Sequence, residues 1–316
     1  RFHQGDREGA VLAWKAGLAE APDDLPLLER TAYGAVEVGD YAAAAEAQAK
    51  VVRHLEAHLA AGNATPQLAM GRFMAPDELL VRHLVRWSEL ATLAGDFTTG
   101  EQAARRLIRR APARVEGHLA LAYMHLQAAE YGEAEVLYSE VLKVDPHNTI
   151  ALNNLGNVRY MDRDLDAAAR QFEAVLEVEA PSAQAQSIAL ANLGELLQLQ
   201  GADRDAEALY LEARDAAPEG AWSYMGLASL YDVTGRYDAA VEVMIEGWER
   251  DASHLTRLNM HFFEPEWAWQ RDALIAEIEG DLDAATLLWK RVLKGDVPAL
   301  KKAADHHLRG LEQLRD

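Results

Sequence analysis

Apolar residues recur three and four positions apart in segment after segment of the chain, as in Leu152, Leu155 and Gly156. This is the spacing of residues that share one face of an α-helix. Proline, which stops a helix, falls at the ends of several of these segments. These prolines are Pro22, Pro112, Pro146 and Pro218. The pattern therefore predicts an all-α chain of amphipathic helices.

A turn position recurs between the helices with a fixed period. Glycine followed by aspartate occurs at Gly5, Gly39, Gly95 and Gly280, Gly201 and Gly235 lie in the same phase, and Ala129 and Arg163 fill this position without glycine. The spacing is 34 residues from 5 to 39, from 95 to 129, from 129 to 163 and from 201 to 235. Five residues later every unit has a small residue: Ala10, Ala44, Gly100, Ala134, Ala168, Ala206, Ala240 and Ala285. Small side chains at this phase let two paired helices approach closely.

These features resemble the tetratricopeptide repeat (TPR) family, whose period is about 34 residues, and the resemblance covers nearly the whole chain. It implies a right-handed superhelical solenoid of antiparallel helix pairs. The expected units are a half repeat at 1–24 and repeats at 25–58, 81–114, 115–148, 149–182, 187–220, 221–254 and 266–295, with insertions at 59–80 and 255–265. Residues 296–316 are expected to form a capping helix.

In the TPR family the first helix of each pair lines a concave groove that binds peptide segments. Transferred to this sequence, the resemblance implies that the groove residues are Asn154, Asn157, Asn192, Tyr123, Trp222, Arg86 and Arg30. An amide side chain can pair with both the N–H and the C=O of a peptide backbone. Two alternatives stay open: asparagine is common at this helix position, and the arginines could form ion pairs with Glu29 or Glu89.

Both insertions contain large apolar residues that a partner could contact. They are Phe73, Met74, Phe262 and Phe263. Exposed apolar clusters on a protein surface usually mark contacts, so these segments are candidate docking loops. The alternative is that they pack against neighbouring helices of the same chain.

The charge of the chain narrows the classes of partner. Asp and Glu total 51 and Lys and Arg total 31, which gives a net charge of −20. Such a chain repels polyanions, so nucleic acid and anionic membrane surfaces are disfavoured as partners and basic or amphipathic protein segments are favoured.

The absence of cysteine excludes disulfides, zinc–thiolate sites and thiol catalysis. Neither a glycine-rich phosphate loop nor a nucleophile elbow occurs, so we expect no cofactor, no metal and no enzyme activity.

The sequence thus predicts a non-catalytic scaffold or adaptor that binds a partner protein segment in its groove. The alternative is a structural subunit of a larger bacterial assembly of the envelope, pilus or secretion type, docking through its insertions and ends.

The chain begins at Arg1, in the middle of a repeat, so we expect its true N-terminus to be missing. No apolar stretch of about 18 residues occurs, which argues against a membrane span. Cytoplasm and periplasm both fit.

Overall fold

The structure is a computed structural model that describes residues 7–62, 67–69, 72–255 and 266–314. These residues form sixteen α-helices and one small two-stranded sheet. The elements are α1 (Arg7–Glu20), α2 (Leu25–Glu37), α3 (Tyr41–Ala60), β1 (Gln67–Ala69), β2 (Arg72–Met74), α4 (Pro76–Leu93), α5 (Phe97–Arg110), α6 (Glu116–Gln127), α7 (Tyr131–Val144), α8 (Thr149–Met161), α9 (Leu165–Leu176), α10 (Ala183–Leu199), α11 (Asp203–Ala216), α12 (Ala221–Val233), α13 (Tyr237–Leu255), α14 (Glu266–Glu279), α15 (Leu282–Lys294) and α16 (Pro298–Gln313).

The chain divides into two compact units, residues 1–154 and 155–316, and the division falls within α8. Consecutive helices pack as pairs, for example α4 with α5 and α6 with α7 in the first unit, and α10 with α11 and α12 with α13 in the second. The first helices of successive pairs also contact each other: α4 packs on α6, α10 on α12 and α12 on α14. The predicted all-α fold of antiparallel helix pairs is confirmed within each unit.

Aspartates at four of the turns cap the second helix of a pair. The carboxylates of Asp40, Asp96, Asp164 and Asp281 each accept the backbone N–H three residues further on, at 2.9–3.0 Å. The first N–H groups of a helix have no partner inside the helix, so an N-cap side chain of this kind stabilises it by about 1 kcal/mol. The turn carboxylates therefore serve the fold.

The residue before the cap has a positive φ, whatever its identity. Gly95 has a φ of 78° and Ala129, at the equivalent place, has a φ of 59°. A residue with a Cβ atom is strained there by about 1–2 kcal/mol, whereas glycine is not.

We therefore expect Ala129→Gly to raise the free energy of unfolding by up to about 1 kcal/mol, since the relieved strain exceeds the added freedom of the unfolded chain. The reverse change, Gly95→Ala, should lower it by a similar amount, although a Cβ there would meet no atom within 4 Å. Urea denaturation followed by circular dichroism measures both. If Ala129→Gly were neutral or destabilising, the strain inferred at this turn would be wrong.

Large aromatic side chains of the second helices fill the space that small residues leave open. The ring of Tyr210 on α11 is 1% exposed and lies against Gly194 of α10 and Gly226 of α12. A Cβ atom at Gly226 would come within 2.2 Å of the ring, and one at Gly194 within 2.9 Å. The Tyr210 hydroxyl donates to Oε1 of Gln198 at 2.9 Å. Tyr210 thus interlocks three consecutive helices of the second unit.

The insertion at 59–80 contains a short hairpin where the sequence predicted a loop. Strands β1 and β2 pair antiparallel, with Leu68 opposite Phe73. Met74, at the end of β2, is 1% exposed and belongs to the core of the first unit. Helix α4 begins at Pro76, five residues before the expected repeat, because proline suits the first turn of a helix and Asp77 and Glu78 favour its N-terminus.

The C-terminal helix α16 packs against α12, α14 and α15 and buries a charged cluster. The side chain of His307 is 4% exposed, with Nε2 at 3.2 Å from Oδ1 of Asp232 and Nδ1 at 3.0 Å from Oε1 of Glu277. Its ring stacks on Trp289 with 4.3 Å between the ring centroids. Burial alone lowers the pKa of His307, but the hydrogen bonds and negative charges of Asp232 and Glu277 outweigh it and raise the pKa to about 9. At neutral pH His307 is therefore a buried cation that ties α16 to α12 and α14.

Candidate functional site

Two helices of the first unit, α4 and α6, and the part of α8 that belongs to the same unit enclose an open groove of about 400 Å³. On each helix most successive lining residues are three or four positions apart, so they share one helix face. They are Val85, Glu89 and Leu93 on α4, Glu116, Leu119, Ala120 and Tyr123 on α6, and Ile150 and Asn154 on α8. Because α4 and α6 pack side by side, their matching faces form one continuous concave surface.

The walls of this groove are apolar and open to solvent. Leu93 is 44% exposed and Ile150 is 57% exposed. Isolated exposed leucines are normal on a protein surface, but apolar side chains gathered in a concave surface with a few polar groups are typical of a binding site. The groove can therefore bury an apolar side chain of another molecule.

The polar groups of the groove are two carboxylates, a phenol and an amide. The carboxylate of Glu89 accepts a long contact of 3.5 Å from Nη1 of Arg86, and that of Glu116 lies 3.8 Å from Nη1 of Arg114. Partial burial raises the pKa of Glu89, although the charge of Arg86 opposes the shift. Burial and the negative charge of Glu89 raise the pKa of Tyr123. The two carboxylates of the groove thus form only long ion pairs, each with one arginine.

Of the groove residues that the sequence indicated, Tyr123 and Asn154 lie together in this groove. Asn192 does not fulfil its expected role, because its side chain is 4% exposed and therefore closed to a ligand. Its amide donates to Oδ1 of Asn157 at 3.4 Å instead. These two asparagines connect α8 and α10 inside the second unit.

The other indicated residues have separate locations. Arg30 is exposed on α2. Arg86 is exposed on α4 and pairs with Glu89, which is the ion-pair alternative considered above. Trp222 is half-buried against the core of the second unit. None of these three lines the groove of the first unit.

The proposed docking loops are only partly described by the structure. Met74 does not fit the expected docking role, because it is 1% exposed and belongs to the core of the first unit. The side chain of Phe73 lies outside the described part of the chain, as do Phe262 and Phe263. These three stay predictions.

Sequence reasoning missed most of the apolar lining, including Leu93, Leu119 and Ile150. A signal was available in α6, whose sequence EGHLALAYMHLQ has apolar residues on more than one face. A helix that only packs against its own core shows a polar outer face. Apolar residues in excess of that face indicate a second contact surface.

Among the described residues, no group of three or more His, Asp and Glu side chains is placed to hold a metal ion. No helix in the described ranges is sufficiently long and apolar to cross a bilayer.

Comparison with known proteins agrees with the repeat pattern. The model of a family described as Tetratricopeptide repeat matches residues 94–139, 126–185 and 153–221. A protein named cellulose synthase operon protein C from Pseudomonas fluorescens (strain SBW25) is 28% identical over 153 residues, which is 47% of this chain and 12% of that protein. Its namesake from Xanthomonas axonopodis pv. citri (strain 306) is 30% identical over 203 residues, 63% of this chain and 13% of that protein. The chain thus spans about an eighth of the length of these relatives.

A solved structure with a similar fold is a tetratricopeptide repeat protein from Parabacteroides merdae ATCC 43184. It is 18% identical, the match covers 91% of this chain and 98% of that one, and the TM-score is 0.48. At this level of similarity the match carries no information about function.

Proposed function

Because the chain is a tetratricopeptide repeat protein, we propose that it is a non-catalytic scaffold that holds a segment of a partner protein in the groove between α4, α6 and α8. The observation that carries this proposal is the concave apolar surface on which Leu93 and Ile150 stay exposed beside Tyr123 and Asn154. A partner segment would remove this apolar surface from water.

Each part of the groove has a role in such a complex. Leu93 on α4 and Ile150 on α8 contact an apolar side chain of the segment. Burial of that surface supplies free energy at roughly 25 cal/mol per Å². Tyr123 is a rigid aromatic group of the kind that dominates the energetics of interfaces. The amide of Asn154 can pair with the backbone of the segment, which needs no particular sequence. Such binding requires orientation and burial, and no bond is made or broken.

The names of the two relatives indicate where a partner can be sought first, among proteins encoded together with a cellulose synthase. The part of each relative that matches this chain is about an eighth of its length.

The proposal predicts the outcome of a peptide selection on the purified chain. Peptides selected from a random display library on the wild-type protein should bind the Tyr123→Ala variant about tenfold more weakly or worse, as for the loss of an aromatic group central to an interface. Isothermal titration calorimetry measures the affinities, and circular dichroism checks that the variant is folded.

A matched pair of variants controls for the loss of any exposed apolar group. Ile150 and Val136 are 57% and 58% exposed, but Val136 lies on α7 and does not line the groove. Ile150→Ala should weaken binding several-fold, and Val136→Ala should leave it unchanged. Equal affinities for the wild type, Tyr123→Ala and Ile150→Ala would show that the selected peptides bind elsewhere and that the proposal is wrong.

A further inference from the structure

The charged residues that line the groove of the first unit are both acidic. Glu89 comes from α4 and Glu116 from α6, and no lysine or arginine is among the nine lining residues. The remaining lining residues are apolar except for Tyr123 and Asn154. The groove therefore combines apolar walls with negative charge on two neighbouring helices.

The two carboxylates have only weak partners within the chain. Arg86 is 3.5 Å from Glu89, the side chains being 46% and 42% exposed, and Arg114 is 3.8 Å from Glu116, with side chains 47% and 44% exposed. Ion pairs at this distance and exposure contribute little, and they exchange readily for a better partner. A cation that enters the groove can therefore pair with either carboxylate without breaking a strong interaction.

We propose that the partner segment places a lysine or, preferably, an arginine side chain in this groove, with its aliphatic part along Leu119 and Tyr123 and its charged end at Glu89 and Glu116. This inference rests on the proposed function, since it names the chemistry of the segment that the groove holds. Long basic side chains bury their apolar stem while the charged end stays near water, which fits a groove that contains both apolar side chains and carboxylates. The planar guanidinium group of arginine also suits carboxylates and the face of an aromatic ring.

The same arrangement selects against acidic segments. A carboxylate brought beside Glu89 and Glu116 would meet two like charges in a partly dehydrated groove. The net charge of −20 acts in the same direction at longer range, since it attracts basic segments and repels acidic ones.

The test uses the full chain and three synthetic peptides that share the same leucine residues. The peptides differ only at their polar positions, which carry arginine in the first peptide, citrulline in the second and glutamate in the third. Citrulline has the shape of arginine without its charge, so the comparison isolates the charge. Fluorescence anisotropy at low and physiological salt measures binding to the wild type, to Glu89→Gln/Glu116→Gln and to Tyr123→Ala.

We expect the wild type to bind the arginine peptide about tenfold more tightly than the citrulline peptide, and the glutamate peptide more weakly than either. In Glu89→Gln/Glu116→Gln the preference for arginine should shrink to about twofold, and its salt dependence should weaken. The control Glu133→Gln/Glu140→Gln removes the same number of charges from exposed positions of α7 outside the groove, and it should retain the preference.

The outcomes separate this inference from the proposed function. If the wild type binds the arginine peptide no more tightly than the citrulline peptide, the basic-segment proposal is overturned. It is also overturned if Glu133→Gln/Glu140→Gln loses the preference for arginine as much as Glu89→Gln/Glu116→Gln does. If Tyr123→Ala abolishes binding while Glu89→Gln/Glu116→Gln leaves it unchanged, the groove binds a segment but not through a cation. If Tyr123→Ala also leaves binding unchanged, the proposed function fails too.

Discussion

Replacing His307 with alanine is expected to lower the free energy of unfolding of the second unit by about 3–5 kcal/mol, because it leaves a buried carboxylate without its cation. The side chain of Asp232 is 0% exposed and that of Glu277 15%. Gln270 still donates to Oδ2 of Asp232 at 2.6 Å, but an amide does not neutralise the charge. Urea denaturation followed by circular dichroism measures the loss.

The neighbouring His306 provides the matched control. It is exposed on the same helix, where its ring stacks on Tyr237 at 4.2 Å between centroids. His306→Ala should therefore cost no more than about 1 kcal/mol. Equal effects of the two substitutions would mean that the cluster around His307 contributes nothing beyond the packing of an ordinary surface residue.

The raised pKa of His307 also gives this stabilisation a defined pH dependence. The pKa in the folded chain is about 9, above the ordinary value of 6.5. Stabilisation is therefore complete below about pH 6.5 and is lost as the pH rises through 9, and the linkage amounts to about 3 kcal/mol. A His307→Gln variant should lack this dependence. If the difference in unfolding free energy between the wild type and His307→Gln is the same at pH 6.5 and pH 10, the histidine does not titrate as inferred.

The second large effect is expected at Gly226, where alanine should lower the free energy of unfolding by about 2–3 kcal/mol. An added Cβ would lie 2.2 Å from the ring of Tyr210, which is fully buried and also lies close to Gly194, so the ring cannot move away without strain. The double variant Gly226→Ala/Tyr210→Leu should lose less than the two single variants together, because the smaller side chain removes the clash.

Gly310 is the control for this substitution. It lies at an exposed position of α16, and a Cβ there would meet no atom within 4 Å. Gly310→Ala should raise stability by about 0.5–1 kcal/mol, as usual for a glycine inside a helix. A neutral Gly226→Ala would show that the helices around Tyr210 are not closely interlocked.

The repeat pattern was sufficient to predict the helices, since a fixed period forces each helix to pack on its neighbours in the same way. The small residue Gly100 was expected where two paired helices approach closely, and a Cβ atom there would come within 2.7 Å of Thr92 on the preceding helix. The His307 cluster could not be predicted this way, because Asp232 is 75 residues away and belongs to no common phase. The β1–β2 hairpin was missed for the related reason that an insertion has no period.

The candidate site was predictable only in part. The repeat register indicates which face of a helix a residue occupies, and Tyr123 and Asn154, which it indicated, line the groove of the first unit. It does not indicate whether that face is open, and Asn192 on α10 is buried and bonded to Asn157 of α8. Exposure depends on the size of neighbouring side chains from several repeats, which no single register position encodes.

The most direct test of groove binding is to map where a selected peptide contacts the protein. The photoreactive residue benzoylphenylalanine would replace Leu93 on the groove wall in one variant and Val136 on α7 in another. A peptide selected on the wild type should crosslink through position 93, and Tyr123→Ala in the same chain should abolish the crosslink. Crosslinking through position 136 alone, or at position 93 with equal yield in the presence of Tyr123→Ala, would contradict binding in this groove.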